Sequence, residues 1–249
     1  MQKSSFTKVD SAATIFCGAI LKENLVTLYS LDGRQEQVLE CNVEKQLQVG
    51  WYLEPVTLLY ALDGRTEVVP TSIVEAQLQV GWYLEPVQKL YSADGREIIV
   101  EKVKVKDYLL VGWYEEDVRA KAIARITASD VADLANVMHS EANGLDTREV
   151  AMVAWCVLNR VDDNQGTIHS ICNSNQFTRR GNKTAYAWLA EDVLIRWYLE
   201  KQGVPEVGRV LPRGYFWFYG DGRHNYFRNN FNGKGELYSL FEKYINPYN

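Results

Sequence analysis

Glu141, Asp146 and Glu149 bring three carboxyl groups into a short stretch, and His139 stands two residues before the first of them. A carboxylic acid that keeps its proton can give it to a leaving group, a chemistry open in principle to each of the three. A metal offers a second chemistry. The chain has three histidines, His139, His169 and His224, and with Glu141 as base they would suit a zinc hydrolase. They stand far apart, however, and no H-E-x-x-H occurs. His139-x-Glu141 is half of a zinc deaminase pattern, but no P-C-x-x-C follows it. No metal or cofactor is therefore expected. The four cysteines form no C-x-x-C pair, and Cys156 lies in an apolar run, so they read as buried thiols, with a Cys156–Cys172 disulfide as the alternative.

Helices must hold these side chains. Asp117 to Thr127 mixes charged and apolar residues and reads as a helical joint between two halves. Ser129 stands as an N-cap, and Val131, Leu134, Ala135 and Met138 share one face of a helix ending near Glu141, where Asn143-Gly144 breaks it. Asp146 is placed to cap the next helix. Glu149 three residues later completes a capping-box pattern, which assigns both acids to helix geometry rather than chemistry. Val150 to Leu158 is apolar on nearly every face and is the expected central helix. Asp162 to Asn173 reads as a polar loop. Ala185 to Lys201 reads as a third long helix, packed through Trp188, Leu189, Val193, Ile195 and Trp197 and stopped by Gly203. The run Tyr215 to Tyr219 reads as a strand, with Phe216 and Phe218 on the helices and Tyr215, Trp217 and Tyr219 alternating to a face that can line a groove.

The chain has 249 residues, 47% of them apolar, enough for one large or two ordinary domains with a real core. Disordered tails, collagen-like fibres and disulfide-stapled miniproteins are excluded. The net charge of −5 argues against a dedicated nucleic-acid binder. No stretch approaches the roughly 20 apolar residues that cross a bilayer. The best candidate for an export signal, Ala12 to Leu21, is interrupted by Thr14 and lacks a cleavage pattern, so it reads as the first structured segment. Residues 1–116 carry a net charge of −6 and residues 117–249 a net +1, which marks a boundary near 117.

The first half repeats every 31 residues. Leu31-Asp32-Gly33-Arg34 returns as Leu62-Asp63-Gly64-Arg65 and again as Ala93-Asp94-Gly95-Arg96, and Trp51, Trp82 and Trp113 keep the same register. Asp-Gly supplies a tight hairpin turn between two short strands, and an apolar-periodic stretch such as Ile73 to Val80 suits a short helix capped by glycine. Each unit therefore reads as a ββα module that is too small to hold a core alone. The shared tryptophans and tyrosines are core and turn residues on one reading. On the other they are platforms for sugar rings or a protein partner.

In the second half, His139-Ser140-Glu141-Ala142-Asn143-Gly144, then Glu149 to Val161 ending in Leu158-Asn159-Arg160-Val161, then Gln176-Phe177, resembles the catalytic domain of the spore-cortex-lytic cell-wall hydrolases. The pairing of E-A-x-G with L-N-R-V in this order carries the resemblance, which covers residues 125–230 and none of the repeats. His224 and Phe227 stand where that family has a closing histidine and aromatic. After Gly144 the family often has another acid, and Leu145 stands here instead.

The resemblance implies a lysozyme-like helical fold acting on the glycan strands of peptidoglycan, with Glu141 as the sole catalytic carboxylate. Cleaving a glycosidic bond needs a proton on the leaving oxygen, and two-carboxylate glycosidases add a nucleophile or base across the sugar. With one carboxylate, the substrate's own 6-hydroxyl can close an anhydro ring, the lytic transglycosylase route. Substrate-binding candidates are Gln176, Phe177, Tyr215, Trp217, Tyr219, His224, Asn225 and Tyr226. Gln176 has two readings, an N-acetyl contact or a loop tie. Asn159-Arg160 reads as a helix cap and internal ion pair in preference to a substrate contact. The alternatives are a zinc-dependent N-acetylmuramoyl-L-alanine amidase, or a structural phage-tail or cell-surface adaptor with a vestigial hydrolase half.

The expected architecture is α+β: an N-terminal segment (1–23), an array of three ββα repeats (24–116) serving as a binding or adaptor module, then a mainly helical, lysozyme-like catalytic domain with a small β-hairpin (117–249). The expected partners are peptidoglycan glycan strands and a protein held by the repeats, with no nucleic acid and no membrane span. The site of action is the bacterial cell wall, and the lack of a signal peptide fits a phage or tail-like particle component.

Overall fold

The computed structural model describes residues 24–177, 183–231 and 246–248, so the segment 1–23 lies outside the described residues. Each repeat follows the same local rules. In the first, β1 (Leu25–Ser30) pairs antiparallel with β2 (Gln35–Leu39) across the Asp32-Gly33 turn. One 3-10 turn leads into α1 (Val43–Gln48), and the two-residue strand β3 (Trp51–Tyr52) returns to β1. The second repeats this as β4 (Val56–Ala61), β5 (Thr66–Pro70), α2 (Val74–Gln79) and β6 (Trp82–Tyr83). The third is β7 (Val87–Ser92), β8 (Glu97–Glu101), α3 (Val105–Leu110) and β9 (Trp113–Tyr114).

The ββα expectation is thus one strand short. Trp-Tyr forms a third strand, so each sheet runs β2-β1-β3 or its equivalent. The turn glycines Gly33, Gly64 and Gly95 have φ of 86°, 88° and 92°, a region that only glycine enters without strain. Leu28, Leu59 and Leu90 occupy matching, fully buried positions. The tryptophans match too. Each is half-buried under the arginine of its own Asp-Gly-Arg, with Arg34 5.8 Å from the Trp51 ring, Arg65 6.0 Å from Trp82 and Arg96 5.6 Å from Trp113.

The chain divides into two compact units, Met1–Pro86 and Val87–Asn249, so the third repeat belongs with the helical part. There, Ala93 and Tyr114 pack against Val118 and Ala122 of α4 (Val118–Ile123) and Ile195 and Leu199 of α8 (Ala187–Lys201). Between these helices run α5 (Ala128–Ala142), α6 (Thr147–Asp162) and α7 (Ile168–Cys172), and the hairpin β10 (Trp217–Gly220) with β11 (Asn225–Arg228) follows α8.

α6 is the central helix, with every residue from Glu149 to Arg160 buried. Its Trp155 donates Nε1–H to the Tyr248 hydroxyl at 2.7 Å, satisfying the indole inside the core. Several sequence expectations shift. Thr127, not Ser129, caps α5, because its hydroxyl accepts from the Asp130 amide at 3.1 Å. The polar stretch read as a loop contains α7, started by a Thr167/Ser170 capping box. Trp188, in the first turn of α8, is 55% exposed and does not pack in the core.

Cys156 and Cys172 are both buried free thiols, so no disulfide joins them. Burial pushes the Cys156 thiol up to about 12. Among the described residues no helix is long and apolar enough to cross a membrane.

Candidate active site

The last turn of α5 carries Glu141, and the first turn of α6 carries Glu149. The loop between them is closed by Asp146, whose carboxylate accepts the Arg148 amide at 2.9 Å and caps α6. Asp146 therefore does what its sequence position predicts. Glu149 does not. Its carboxylate turns away from the helix start and accepts the main-chain N–H of Asn225, while its Oε2 lies 3.2 Å from Nδ1 of His224. The capping box read from Asp146 and Glu149 is absent because the tip of the hairpin supplies better donors to a carboxylate that is 6% exposed.

Asn225 joins both acids. Its Nδ2 donates to the main-chain carbonyl of Glu141 at 2.9 Å. The approach is tight: a Cβ on Gly220, which pairs with Asn225 across the hairpin, would come 2.9 Å from Asn225 Oδ1. Asp221 shapes the turn, its Oδ1 accepting the amides of Arg223 at 2.8 Å and His224 at 2.9 Å and its Oδ2 accepting the Tyr226 hydroxyl at 2.9 Å. Those donors hold its carboxyl down at about 2.

These residues surround an open cleft of about 190 Å³, lined by Ser140, Glu141, Leu145, Gly220, His224 and Asn225 among others. Glu141 is half-buried at its edge. The rest of the lining combines Ala142 with hydroxyl, amide, glycine and imidazole groups. Leu145 also lines the cleft, and the buried Glu149 carboxylate meets it through His224.

Of the sequence-predicted residues, Glu141, His224 and Asn225 meet at this cleft. Tyr219 and Tyr226 form the next rung of the hairpin, stacked with centroids 5.1 Å apart and an interplanar angle of 20°. Trp217 shares a strand face with Tyr219 and lies half-buried beneath Arg160, 4.4 Å from its ring. Tyr215 is buried in the core and does not join them. β10 starts only at Trp217, so the strand alternation never reaches it. Phe177 is also buried, against Phe218 and under Arg160. Gln176 is exposed and accepts a hydrogen bond from Arg160.

Asn159 and Arg160 act as fasteners. Asn159 Nδ2 donates to the carbonyls of Pro212 at 2.8 Å and Tyr215 at 3.0 Å, and Arg160 Nε donates to the Phe216 carbonyl at 2.6 Å. They anchor the chain entering the hairpin, in place of the expected cap and ion pair. The three histidines have separate surroundings: His139 beside Tyr186, His169 on Asp133 and His224 on Glu149. Among the described residues no group of three or more His, Cys, Asp or Glu side chains is arranged to hold a metal ion.

Glu149 is the residue that sequence reasoning missed. The signal was the helix itself: a charged residue opening a stretch buried on every face is forced into the interior and needs partners there. No family model matches the chain, and no curated protein or solved structure matches it.

Proposed function

We propose that the protein cleaves the glycan strands of peptidoglycan as a lytic transglycosylase, with Glu141 as general acid. One observation carries this reading: Glu141, at the end of α5, shares a single cleft with His224 and Asn225, which the hairpin brings back from more than 80 positions away in the chain. A half-buried acid at the lip of an open cleft suits a polymer that must lie across the site and be protonated at one bridging oxygen.

In this reading Glu141 gives its proton to the leaving glycosidic oxygen. The 6-hydroxyl of the same muramic acid closes on the anomeric carbon. Tyr219 and Tyr226, one rung along the hairpin, offer a stacked aromatic ledge for a neighbouring sugar ring. The bacterial cell wall is the site of action, and the repeats serve as the adaptor that holds a partner. Digestion of purified peptidoglycan, with the products read by mass spectrometry, tests the proposal. Muropeptides ending in 1,6-anhydro-muramic acid are expected. Reducing-end muramic acid would keep Glu141 as the acid but make water the nucleophile, and an undigested wall would overturn the proposal.

A further inference from the structure

Within the unit Val87–Asn249, two helices cover one face of the third repeat. Ala93, beside the Asp-Gly turn, and Tyr114, at the end of β9, pack against Val118 and Ala122 of α4 and Ile195 and Leu199 of α8. Arg119 crosses the turn itself, since a Cβ on Gly95 would come 3.1 Å from Arg119 Cδ. Ala93, Asp94 and Arg119 line a cleft of about 190 Å³ at this joint. α4 therefore docks through two apolar side chains one helical turn apart, with an arginine laid over an Asp-Gly turn.

The 31-residue register gives the first two repeats the same face. Leu31 and Leu62 stand where Ala93 does, and Tyr52 and Tyr83 where Tyr114 does. There the face is open. Leu31 is 43% and Leu62 40% exposed, and a Cβ on Gly33 or Gly64 would meet nothing within 4 Å. One exposed leucine needs no explanation. The same leucine exposed at the same place in two successive repeats, on the face that the third repeat buries, does.

Charge selects the partner. Asn24 to Pro86 holds nine acidic side chains and three basic ones. Arg34 and Arg65 are paired with Asp32 and Asp63 of their own turns, at 2.8 and 2.7 Å. That leaves seven exposed glutamates and a single Lys45. Such a surface repels anionic partners and steers cationic ones.

Building on the adaptor reading of the repeats, we propose that the first two repeats each dock a basic amphipathic helix of a protein partner, in the way the third docks α4. The partner helix lays small or branched apolar residues against Leu31 and Tyr52, or Leu62 and Tyr83, and its arginine crosses the Asp-Gly turn. Leucine in place of alanine gives the open repeats more apolar area to bury. The third repeat needs less, because its helix is tethered to it.

The probe is α4 supplied in trans: a synthetic peptide of residues 117–127 with blocked ends and a net charge of +2. A staple between positions 120 and 124, on the side opposite Val118 and Ala122, holds it helical. Amide NMR spectra of the full-length protein are recorded as peptide is added. Gly33 and Gly64 report the open faces, and Gly95, whose face α4 already fills, is the internal reference. Saturable shifts are expected at Gly33 and Gly64 and none at Gly95. Kd should rise about 10-fold or more with Arg119→Glu in the peptide, and likewise with Leu31→Asp and Leu62→Asp together in the protein. Both leucines are exposed, so the double variant should keep the wild-type Tm.

No saturable shift in the repeats overturns the proposal. Shifts confined to Leu53 and Leu84, which are also exposed, overturn this face while keeping the repeats as an adaptor. Binding that Arg119→Glu leaves unchanged overturns the basic partner. Sedimentation of the protein alone tests the other occupant: a dimer that the double variant dissolves makes a second copy the occupant and overturns a partner helix. None of these results depends on whether the protein cuts glycan, which the digestion decides separately.

Discussion

Asn225 donates its side-chain amide to the main-chain carbonyl of Glu141 at 2.9 Å, so the hairpin is fastened to the end of the helix that carries the acid. The bond is part-buried, and Asn225 itself is 3% exposed. Asn225→Asp replaces the donor with a carboxylate aimed at a carbonyl oxygen. It is expected to cost roughly 1–3 kcal/mol of stability and to lower kcat by releasing Glu141 from the cleft. Urea unfolding and digestion rates measure the two effects, and a variant unchanged in both would mean that the tie does nothing.

Asn159 and Arg160 hold the chain that enters the hairpin through the carbonyls of Pro212, Tyr215 and Phe216. Removing either side chain strands buried carbonyls, and Asn159→Ala also leaves Arg209 without the 2.7 Å bond to Asn159 Oδ1. Each replacement by alanine is expected to destabilise by about 2–4 kcal/mol. Thermal unfolding provides the measurement. A Tm close to wild type combined with loss of glycan binding would reassign the pair to substrate contact.

Asp221 should show its hydrogen bonds in acid. Its carboxyl is held below the usual range, so its support of the hairpin turn is complete above the ordinary carboxylate value of about 3.9. That support is lost as pH falls towards about 2. The amide shifts of Arg223 and His224 are expected to titrate together in that window. A midpoint near the ordinary value would mean that Asp221 does not bind these amides in solution.

The repeats contain a natural comparison. Ser30 and Ser92 donate hydroxyl bonds to Asp32 and Asp94, whose carboxyls sit down at about 2, whereas Ala61 occupies the matching position in the second repeat. Asp63 is lowered chiefly by its backbone and side-chain hydrogen bonds from Arg65, with no serine hydroxyl to add to them. Asp63 is therefore expected to titrate above the other two, and Ala61→Ser to bring it down towards them. NMR titration of the three carboxyls decides this, with three equal midpoints in the wild type as the contrary result.

The repeats were legible because one 31-residue period copies the same turn, cap and tryptophan three times, so each unit corroborates the others. Their third strand was not, since two residues are too few to display alternation and only the pairing of Trp51-Tyr52 with β1 reveals it. The five-residue α7 was hidden in a polar stretch whose one start signal was Thr167 with Ser170. In the candidate site, the position of Glu141 at the end of a helix was legible from the Asn143-Gly144 break that follows it. Glu149 was misread because an acid three residues after a capping Asp looks the same whether it folds back on the helix or reaches inward. The donor that decides the matter, Asn225, lies 76 residues further along the chain. Tyr215 was misplaced for a related reason, since the strand that would have turned it outward begins two residues later.

Digestion of purified peptidoglycan by wild-type protein and by Glu141→Gln tests the proposed chemistry most directly. Glutamine keeps the shape of the side chain but cannot protonate the leaving oxygen, a loss typically worth about 10²–10⁴-fold in rate. The expected result is a folded variant with wild-type Tm, no detectable turnover, and 1,6-anhydro ends only in the wild-type digest. A Glu141→Gln protein that clears the wall at the wild-type rate would contradict the assignment of Glu141 and, with it, the proposed function.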